Sequence, residues 1–148
     1  MRLDEFISLS SIHTDVKADS KKTLFKKIAN FFAKNNTIKS TYITEKLNER
    51  ERLGSTGIGN GVAIPHTKID GIKKTQVIYI KLKTAIDFTS TDNKKVCQVF
   101  AIITPENTQS EHLLILSSIS NFLKDKSNAK KLQALKNPEE ILKLFSKF

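Results

Sequence analysis

The chain has 148 residues, of which 39% are hydrophobic, and it carries a formal net charge of +10 at pH 7. This length fits one domain, spanning residues 1–148, with one sizeable core. No apolar run approaches the roughly 18–20 residues of a membrane span, and the N-terminus lacks the basic-then-apolar pattern of a signal peptide. We therefore expect a cytoplasmic protein without membrane insertion.

The excess of 25 basic over 15 acidic residues would suit nucleic acid, an anionic membrane or an acidic partner. However, the lysines are spread along the whole chain, and aromatic residues make up only 7% of it, without basic motifs that interleave with them. A lysine-rich solvated surface is therefore favoured. Nucleic-acid binding is the least favoured function, and no nucleic-acid partner is expected.

The N-terminal third is predicted to be helical. Asp19 or Ser20 can cap a helix that continues to about Lys34, with apolar residues at helical spacing along one face. A second helix is predicted from Ser40 to Arg52.

The middle of the chain predicts strands and a glycine-rich loop. Residues 54–61 contain four of the five glycines. A short buried strand at 62–64 follows, and further strands are predicted at 77–82 and 96–104. The single cysteine, Cys97, lies in the last of these, where its apolar neighbours predict a buried, unreactive thiol.

Helices return in the last third. Ser110 opens one of them, and Asn137-Pro138 with two following glutamates is typical of another helix start. Helices thus precede and follow a central group of apolar strands. This order predicts an α/β domain in which a central mixed β-sheet is flanked by helices on both faces.

The glycine-rich loop does not fit the common nucleotide-binding motifs. A P-loop needs Lys-Ser/Thr after its last glycine, whereas Val62 follows here. A dinucleotide fingerprint needs a strand before the glycines and a helix after them, which is the reverse of this order. Two interpretations remain: a tight connection followed by a surface histidine, or a group of N–H donors for an anion beside a nucleophilic His66.

Residues 50–66 read RERLGSTGIGNGVAIPH, and this run resembles the active-site signature of enzyme IIA domains of the fructose/mannitol class of the bacterial phosphotransferase system. The glycine-rich part is most similar to the nitrogen-regulatory, or PtsN, branch. The resemblance continues through Asp92-Asn93 and the helix start at His112. It implies a phosphotransferase in which His66 accepts a phosphoryl group from the carrier HPr or its nitrogen-branch counterpart.

The same resemblance implies supporting roles for several other residues. Arg50 and His112 match the arginine and the second histidine of the family's active site. Ser55, Thr56 and Asn60, together with loop N–H groups, are expected to bind phosphate. In the family the attacking atom is Nε2, but the sequence does not distinguish the two ring nitrogens. His13 has no match and is expected at the surface.

One position departs from the family pattern, because Thr67 stands where a glycine usually follows the active histidine. A β-branched residue resists positive φ, so either the backbone is ordinary there or the loop differs. Two functions stay open: a PtsN-type regulatory phosphocarrier with a protein target, and a sugar-uptake enzyme IIA that passes phosphate to a cysteine of an enzyme IIB. No metal or cofactor is expected, because the three histidines are scattered.

Overall fold

A mixed β-sheet of six strands forms the centre of the structure, a computed structural model that describes residues 2–108 and 110–147. The strands are β1 (Ile12–Val16), β2 (Gly57–Gly59), β3 (Val62–Ala63), β4 (His66–Ile69), β5 (Gln76–Ile86) and β6 (Val96–Pro105). The helices are α1 (Lys21–Ala33), α2 (Ser40–Arg52), α3 (Glu111–Lys124), α4 (Lys126–Ala134) and α5 (Pro138–Phe145), and short 3-10 turns lie at Leu3–Glu5 and Leu9–Ser11.

The sheet is ordered β1-β5-β6-β3-β2, and β4 also pairs with β6. β5 and β6 are antiparallel, whereas β3 and β4 both run parallel to β6. In this register Ala63 lies beside Val99 and His66 beside Ile102. β3 and β4 therefore follow one edge of β6 in succession, and His66 begins the second of them.

Helices cover both faces of the sheet, which confirms the predicted α/β class. Side chains alternate along β5, so Ile78 and Ile80 pack with α1 and α2 while Val77 and Tyr79 pack with α3, α4 and α5. β6 is buried on both sides, with Phe100 to Ile103 fully inaccessible to solvent. Burial of both faces explains why β6 reads as a continuous apolar run.

The predicted helices and caps are largely as expected. Ser20 caps α1 by accepting a hydrogen bond from the Thr23 N–H at 3.1 Å, and α2 has the predicted bounds. Asn137 likewise caps α5, with Pro138 as its first residue. The strands predicted at 77–82 and 96–104 correspond to β5 and β6, which are longer and end at Ile86 and Pro105.

Three sequence expectations were wrong. The N-terminal third is not wholly helical, because β1 pairs in parallel with β5. His13 lies on this strand and is half-buried, with its ring stacked on that of Phe31 at a centroid separation of 3.8 Å, so it is not a free surface residue. Cys97 is only partly buried, because its side chain faces a groove.

Candidate active site

His66 is held at the junction of β3 and β4 by its own backbone. Its Nδ1 atom lies 2.8 Å from the carbonyl oxygen of Ile64. Since a carbonyl can only accept a hydrogen bond, Nδ1 must carry the ring proton, and the lone pair of the neutral ring is then on Nε2. The carbonyl of the intervening Pro65 accepts a hydrogen bond from the Ile102 N–H at 2.9 Å. The sheet therefore fixes both the position of the ring and its tautomer.

The ring lines a cleft of about 350 Å³ between α2, β4 and the start of α3. Arg50 and His112 line the same cleft, so the structure brings together the three residues predicted to be catalytic. Two further cations, Lys46 and Lys68, also line it, together with Glu49, which forms an ion pair with Lys46 at 3.5 Å. Among the described residues, Arg50 and Lys68 therefore provide the positive charge that no carboxylate of the cleft pairs with.

Burial is the main cause that lowers the pKa of His66 below its usual value of 6.5. The Ile64 carbonyl opposes this, and the nearby Arg50 and His112 lower the pKa further, while Glu51 raises it. The balance favours the neutral imidazole at neutral pH. A neutral ring with its lone pair on Nε2 is the nucleophilic form of histidine.

Arg50 lies in the last turn of α2, where its Nη1 group donates a hydrogen bond to the Gly54 carbonyl at 3.0 Å. This contact fixes the side chain at the cleft, and its other N–H groups have no protein partner in the described part of the chain. By contrast, Arg52 is exposed and does not line the cleft. The geometry therefore distinguishes the two arginines of the motif.

His112 is the second residue of α3 and is partly buried. Its Nδ1 atom is buried and has no hydrogen-bond partner among residues 2–108 and 110–147. An unpaired buried polar atom costs roughly 1–3 kcal/mol. Because this nitrogen is shielded from solvent, His112 lines the cleft through other atoms of its side chain.

The structure does not bring Ser55, Thr56 or Asn60 to this cleft. The Thr56 hydroxyl donates to Glu51 at 2.6 Å, and the Ser55 hydroxyl donates to the Phe88 carbonyl at 2.7 Å. Asn60 lines a different groove. Phosphate binding by these three residues stays a prediction that the geometry does not support.

The loop N–H groups are likewise engaged within the protein. Those of Thr56 and Asn60 donate to the carboxylates of Glu51 and Asp92, and that of Gly57 donates to the Ser55 hydroxyl. A Cβ at Gly57 would collide with the Ser90 hydroxyl, so glycine is needed there for close packing. These glycines build a compact connection in which the three N–H groups are used within the protein, and anion binding by loop N–H groups stays a prediction.

Three residues of this region were missed by sequence reasoning. Lys46 precedes Arg50 by four positions, so helical spacing would have placed both on one face of α2. Lys68 follows His66 by two positions on β4, which places both on one face of the strand. Glu51 gave no signal, because a glutamate between two arginines reads as a solvated charge run.

Comparison with known proteins identifies the family. Residues 5–148 match the family described as phosphoenolpyruvate-dependent sugar phosphotransferase system, EIIA 2. The chain therefore belongs to this family, whose members are phosphotransfer proteins, and the resemblance inferred from residues 50–66 is confirmed.

Relatives of similar length carry a common description. A nitrogen regulatory protein of Klebsiella oxytoca is 32% identical over 99% of this chain and 91% of its own length. A nitrogen regulatory protein homolog of Haemophilus influenzae is 34% identical over 98% of this chain and 91% of its own.

Solved structures share the fold. The nitrogen regulatory protein IIA-Ntr of Neisseria meningitidis superposes with a TM-score of 0.91 at 33% identity, covering 97% of this chain and 98% of that one. IIA mannitol of Escherichia coli, at 23% identity, superposes with a TM-score of 0.79 over 93% of this chain and 97% of its own, and supports the fold alone.

Within the described residues, no helix is both long enough and apolar enough to cross a bilayer. In that same part of the chain, no three His, Cys, Asp or Glu side chains come together as a metal ligand set.

Proposed function

We propose that this protein is a cytoplasmic regulatory phosphocarrier of the nitrogen-regulatory type, which accepts a phosphoryl group on Nε2 of His66 from HPr or its nitrogen-branch counterpart. The single observation that carries the proposal is the 2.8 Å contact between His66 Nδ1 and the Ile64 carbonyl, which directs the lone pair to Nε2. The family and the nitrogen regulatory relatives support the class of reaction and the type of carrier.

The transfer exchanges one N–P bond for another. The Nε2 lone pair of His66 forms a bond to phosphorus as the bond to the donor imidazole breaks, and the donor ring recovers that electron pair. The proton stays on Nδ1 throughout and remains hydrogen-bonded to the Ile64 carbonyl. Such a reaction needs alignment and stabilisation of charge on the three equatorial oxygens.

The cations that line the cleft can supply that stabilisation. Arg50 offers guanidinium N–H groups that can bind two phosphate oxygens together, and Lys68 adds charge, whereas Lys46 is paired with Glu49. His112 lines the cleft and can orient the phosphoryl group or His66 through the other nitrogen of its ring. The phosphorylated protein would differ from the free one by about two negative charges, which a regulatory target can detect.

The rim of the cleft suits a protein donor. Leu53, which lines the cleft, is 84% exposed, and Leu113 and Leu114 beside His112 are 57% and 52% exposed. Large apolar side chains that remain exposed together often mark a surface for a protein partner. The donor would thus bury these leucines while it brings its phosphohistidine to His66.

The decisive experiment is incubation with enzyme I, an HPr-type carrier and phosphoenolpyruvate, followed by intact mass measurement. We expect one acid-labile phosphate on the unmodified sequence, none on His66→Ala, and normal labelling of the matched control His13→Ala. The two phosphohistidine isomers have different NMR signals, so the spectrum would show whether Nε2 carries the group. Normal labelling of His66→Ala would refute the assignment.

The roles of Arg50 and His112 are tested by initial rates. Removing one charge-stabilising donor from an active site typically slows the chemical step about 10²–10³-fold. We expect Arg50→Ala to fall in this range and Arg52→Ala to stay close to the unmodified rate. An unchanged rate in His112→Ala would reject its supporting role.

A second assay distinguishes the sugar-uptake function from the regulatory one. A purified enzyme IIB with its sugar is added to the phosphorylated protein. Transfer to the enzyme IIB cysteine and then to sugar would favour uptake over regulation. Salt-sensitive nucleic-acid binding that survives His66→Ala would instead favour the third function considered from the sequence.

A further inference from the structure

A second groove, of about 650 Å³, lies between the glycine-rich segment 58–62, the residues before β6, and the junction of α3 and α4. It shares no lining residue with the His66 cleft. Its volume falls within the roughly 300–1,000 Å³ that is usual for small-molecule sites. The groove is therefore a separate cavity that phosphoryl transfer on His66 does not use.

The groove is lined on two sides by lysines. Two come from the turn before β6, one from the end of α3 and two from α4: Lys94, Lys95, Lys124, Lys126 and Lys130. No aspartate or glutamate lines it, and none of the five takes part in an ion pair with residues 2–108 or 110–147. Cations that converge on one groove and outnumber the nearby carboxylates attract anions.

Two carboxylates lie close in sequence to these lysines, and each also accepts hydrogen bonds from the local backbone. Asp92 accepts hydrogen bonds from the N–H groups of Asn60 at 2.9 Å and Lys94 at 3.1 Å. Asp125 accepts from the N–H and hydroxyl of Ser127 at 2.9 and 2.7 Å. Both carboxylates stay ionised and offset part of the positive charge, Asp92 by its interaction with Lys94, but the five lysines of the groove outnumber them.

Apolar atoms form much of the rest of the lining. Ala85, Leu123 and Ala129 contribute side chains, and Cys97 lies among them. The Cys97 thiol makes only a long contact of 3.7 Å to the Gly61 carbonyl. A ligand that fits both parts of the groove needs negative charges for the lysines and an apolar portion for this lining.

We propose that this groove binds a small organic phosphate, a molecule with at least two negative charges and an apolar body. The charge of the lining selects a multiply charged anion, and the limited volume favours a small molecule. Binding here is independent of the phosphoryl group on His66, so His66→Ala should retain it.

Cys97 provides a built-in reporter, because it is the only cysteine of the chain and lines the groove. Its alkylation by iodoacetamide, a neutral reagent, would be followed by intact mass on the full-length protein. The probes are ADP, phenyl phosphate and inorganic pyrophosphate, with adenosine as the uncharged comparison. At about four times the dissociation constant only about a fifth of the protein is free, so an organic phosphate should slow labelling about fivefold.

Matched triple variants test the lysines. Lys94→Gln, Lys124→Gln and Lys130→Gln together should remove most of the protection. A control triple of exposed lysines elsewhere, Lys22→Gln, Lys73→Gln and Lys147→Gln, lowers the net charge equally and should keep it. Protection is expressed as the ratio of rates with and without probe in each variant, so any change in thiol reactivity cancels.

The outcomes separate the proposal from its rivals. Protection by ADP or phenyl phosphate that exceeds that by pyrophosphate, and that disappears in the groove triple alone, supports it. Equal loss in both triples would reduce the effect to net charge and overturn the proposal. Protection by an acidic peptide or single-stranded DNA but by none of the organic phosphates would assign the groove to a macromolecule, and no protection by any probe would also overturn it.

Discussion

The hydroxyl of Thr56 donates a hydrogen bond of 2.6 Å to the carboxylate of Glu51, five residues earlier on α2. The Thr56 N–H donates to the same carboxylate at 3.0 Å, and Lys21 of α1 pairs with it at 2.8 Å. The Glu51 side chain is only 8% exposed. One buried carboxylate therefore joins α1, α2 and the start of the glycine-rich segment that leads to His66.

Replacing Glu51 should destabilise the protein substantially. Glu51→Ala would leave the Thr56 donors and Lys21 without their acceptor, which should lower the free energy of unfolding by about 2–3 kcal/mol. Glu51→Gln keeps one acceptor oxygen and should cost about half as much. Urea denaturation measures both.

Glu49→Ala is the matched control, because Glu49 is on the same helix and forms a more exposed pair with Lys46. Exposed pairs contribute little, so this variant should change stability by less than about 1 kcal/mol. If Glu51→Ala were no less stable than Glu49→Ala, the joining role of Glu51 would be disproved.

The pKa of His66 should respond to Arg50. Burial is the main cause of its lowered pKa, so Arg50→Gln should move it only part of the way back toward 6.5. His13 offers the matched control, because its own pKa is lowered by burial and by Lys34. Lys34→Gln should therefore raise the pKa of His13 and leave that of His66 unchanged, as NMR titration of the ring protons would show.

The sign of the resulting pH dependence follows from linkage. A folded pKa below the unfolded value means that the unfolded chain binds the proton more strongly. The stability associated with neutral His66 is thus complete above about pH 6.5 and falls as the pH drops from there through the folded pKa. Arg50→Gln should narrow the pH range between the folded and unfolded pKa values of His66, over which this stability is lost. A pKa of His66 above 6.5 in the unmodified protein would contradict the burial argument.

Local patterns predicted the helices and strands with strong signals. α1 and α5 have side-chain caps and apolar faces. β6 is a long apolar run because its side chains are buried on both faces of the sheet. β1 and α4 were missed because their patterns are weak. Only Ile12 and Val16 are buried along β1, and only Asn128 and Leu132 along α4.

The site was predictable where a motif carried it and unpredictable where distant contacts decided it. His66, Arg50 and His112 meet in one cleft as expected. The hydroxyls of Ser55 and Thr56 instead bond to Phe88 and Glu51, contacts that depend on how the loop packs in three dimensions. The tautomer of His66 likewise depends on a carbonyl orientation that no residue pattern encodes.

Thr67, which departs from the family pattern, is accommodated within regular β-structure. It pairs with Ile103 in β4, and it is absent from the residues with positive φ. Thr67→Gly should therefore gain no relief of strain and should cost about 0.5–1 kcal/mol through the greater freedom of the unfolded chain.

Thr67→Ala, which keeps the Cβ, should lie between the two in urea denaturation, and all three proteins should accept phosphate on His66. A Thr67→Gly protein more stable than the unmodified one would show that the threonine is strained.

Lys81, which lies on β5, should stabilise the C-terminal end of α4. Its ammonium group donates hydrogen bonds to the carbonyls of Leu132 at 3.1 Å and Leu135 at 2.6 Å, and also to that of Gln133. These are C-terminal carbonyls that a helix leaves unpaired, and a cation there also interacts favourably with the helix dipole. Lys81→Met keeps the length of the side chain but removes the donors, so it should lower the free energy of unfolding by about 1–2 kcal/mol.

Lys83→Met, at an exposed position on the same strand, should have little effect. Amide hydrogen exchange would show faster opening of α4 in Lys81→Met alone, and equal exchange in the two variants would exclude this capping role.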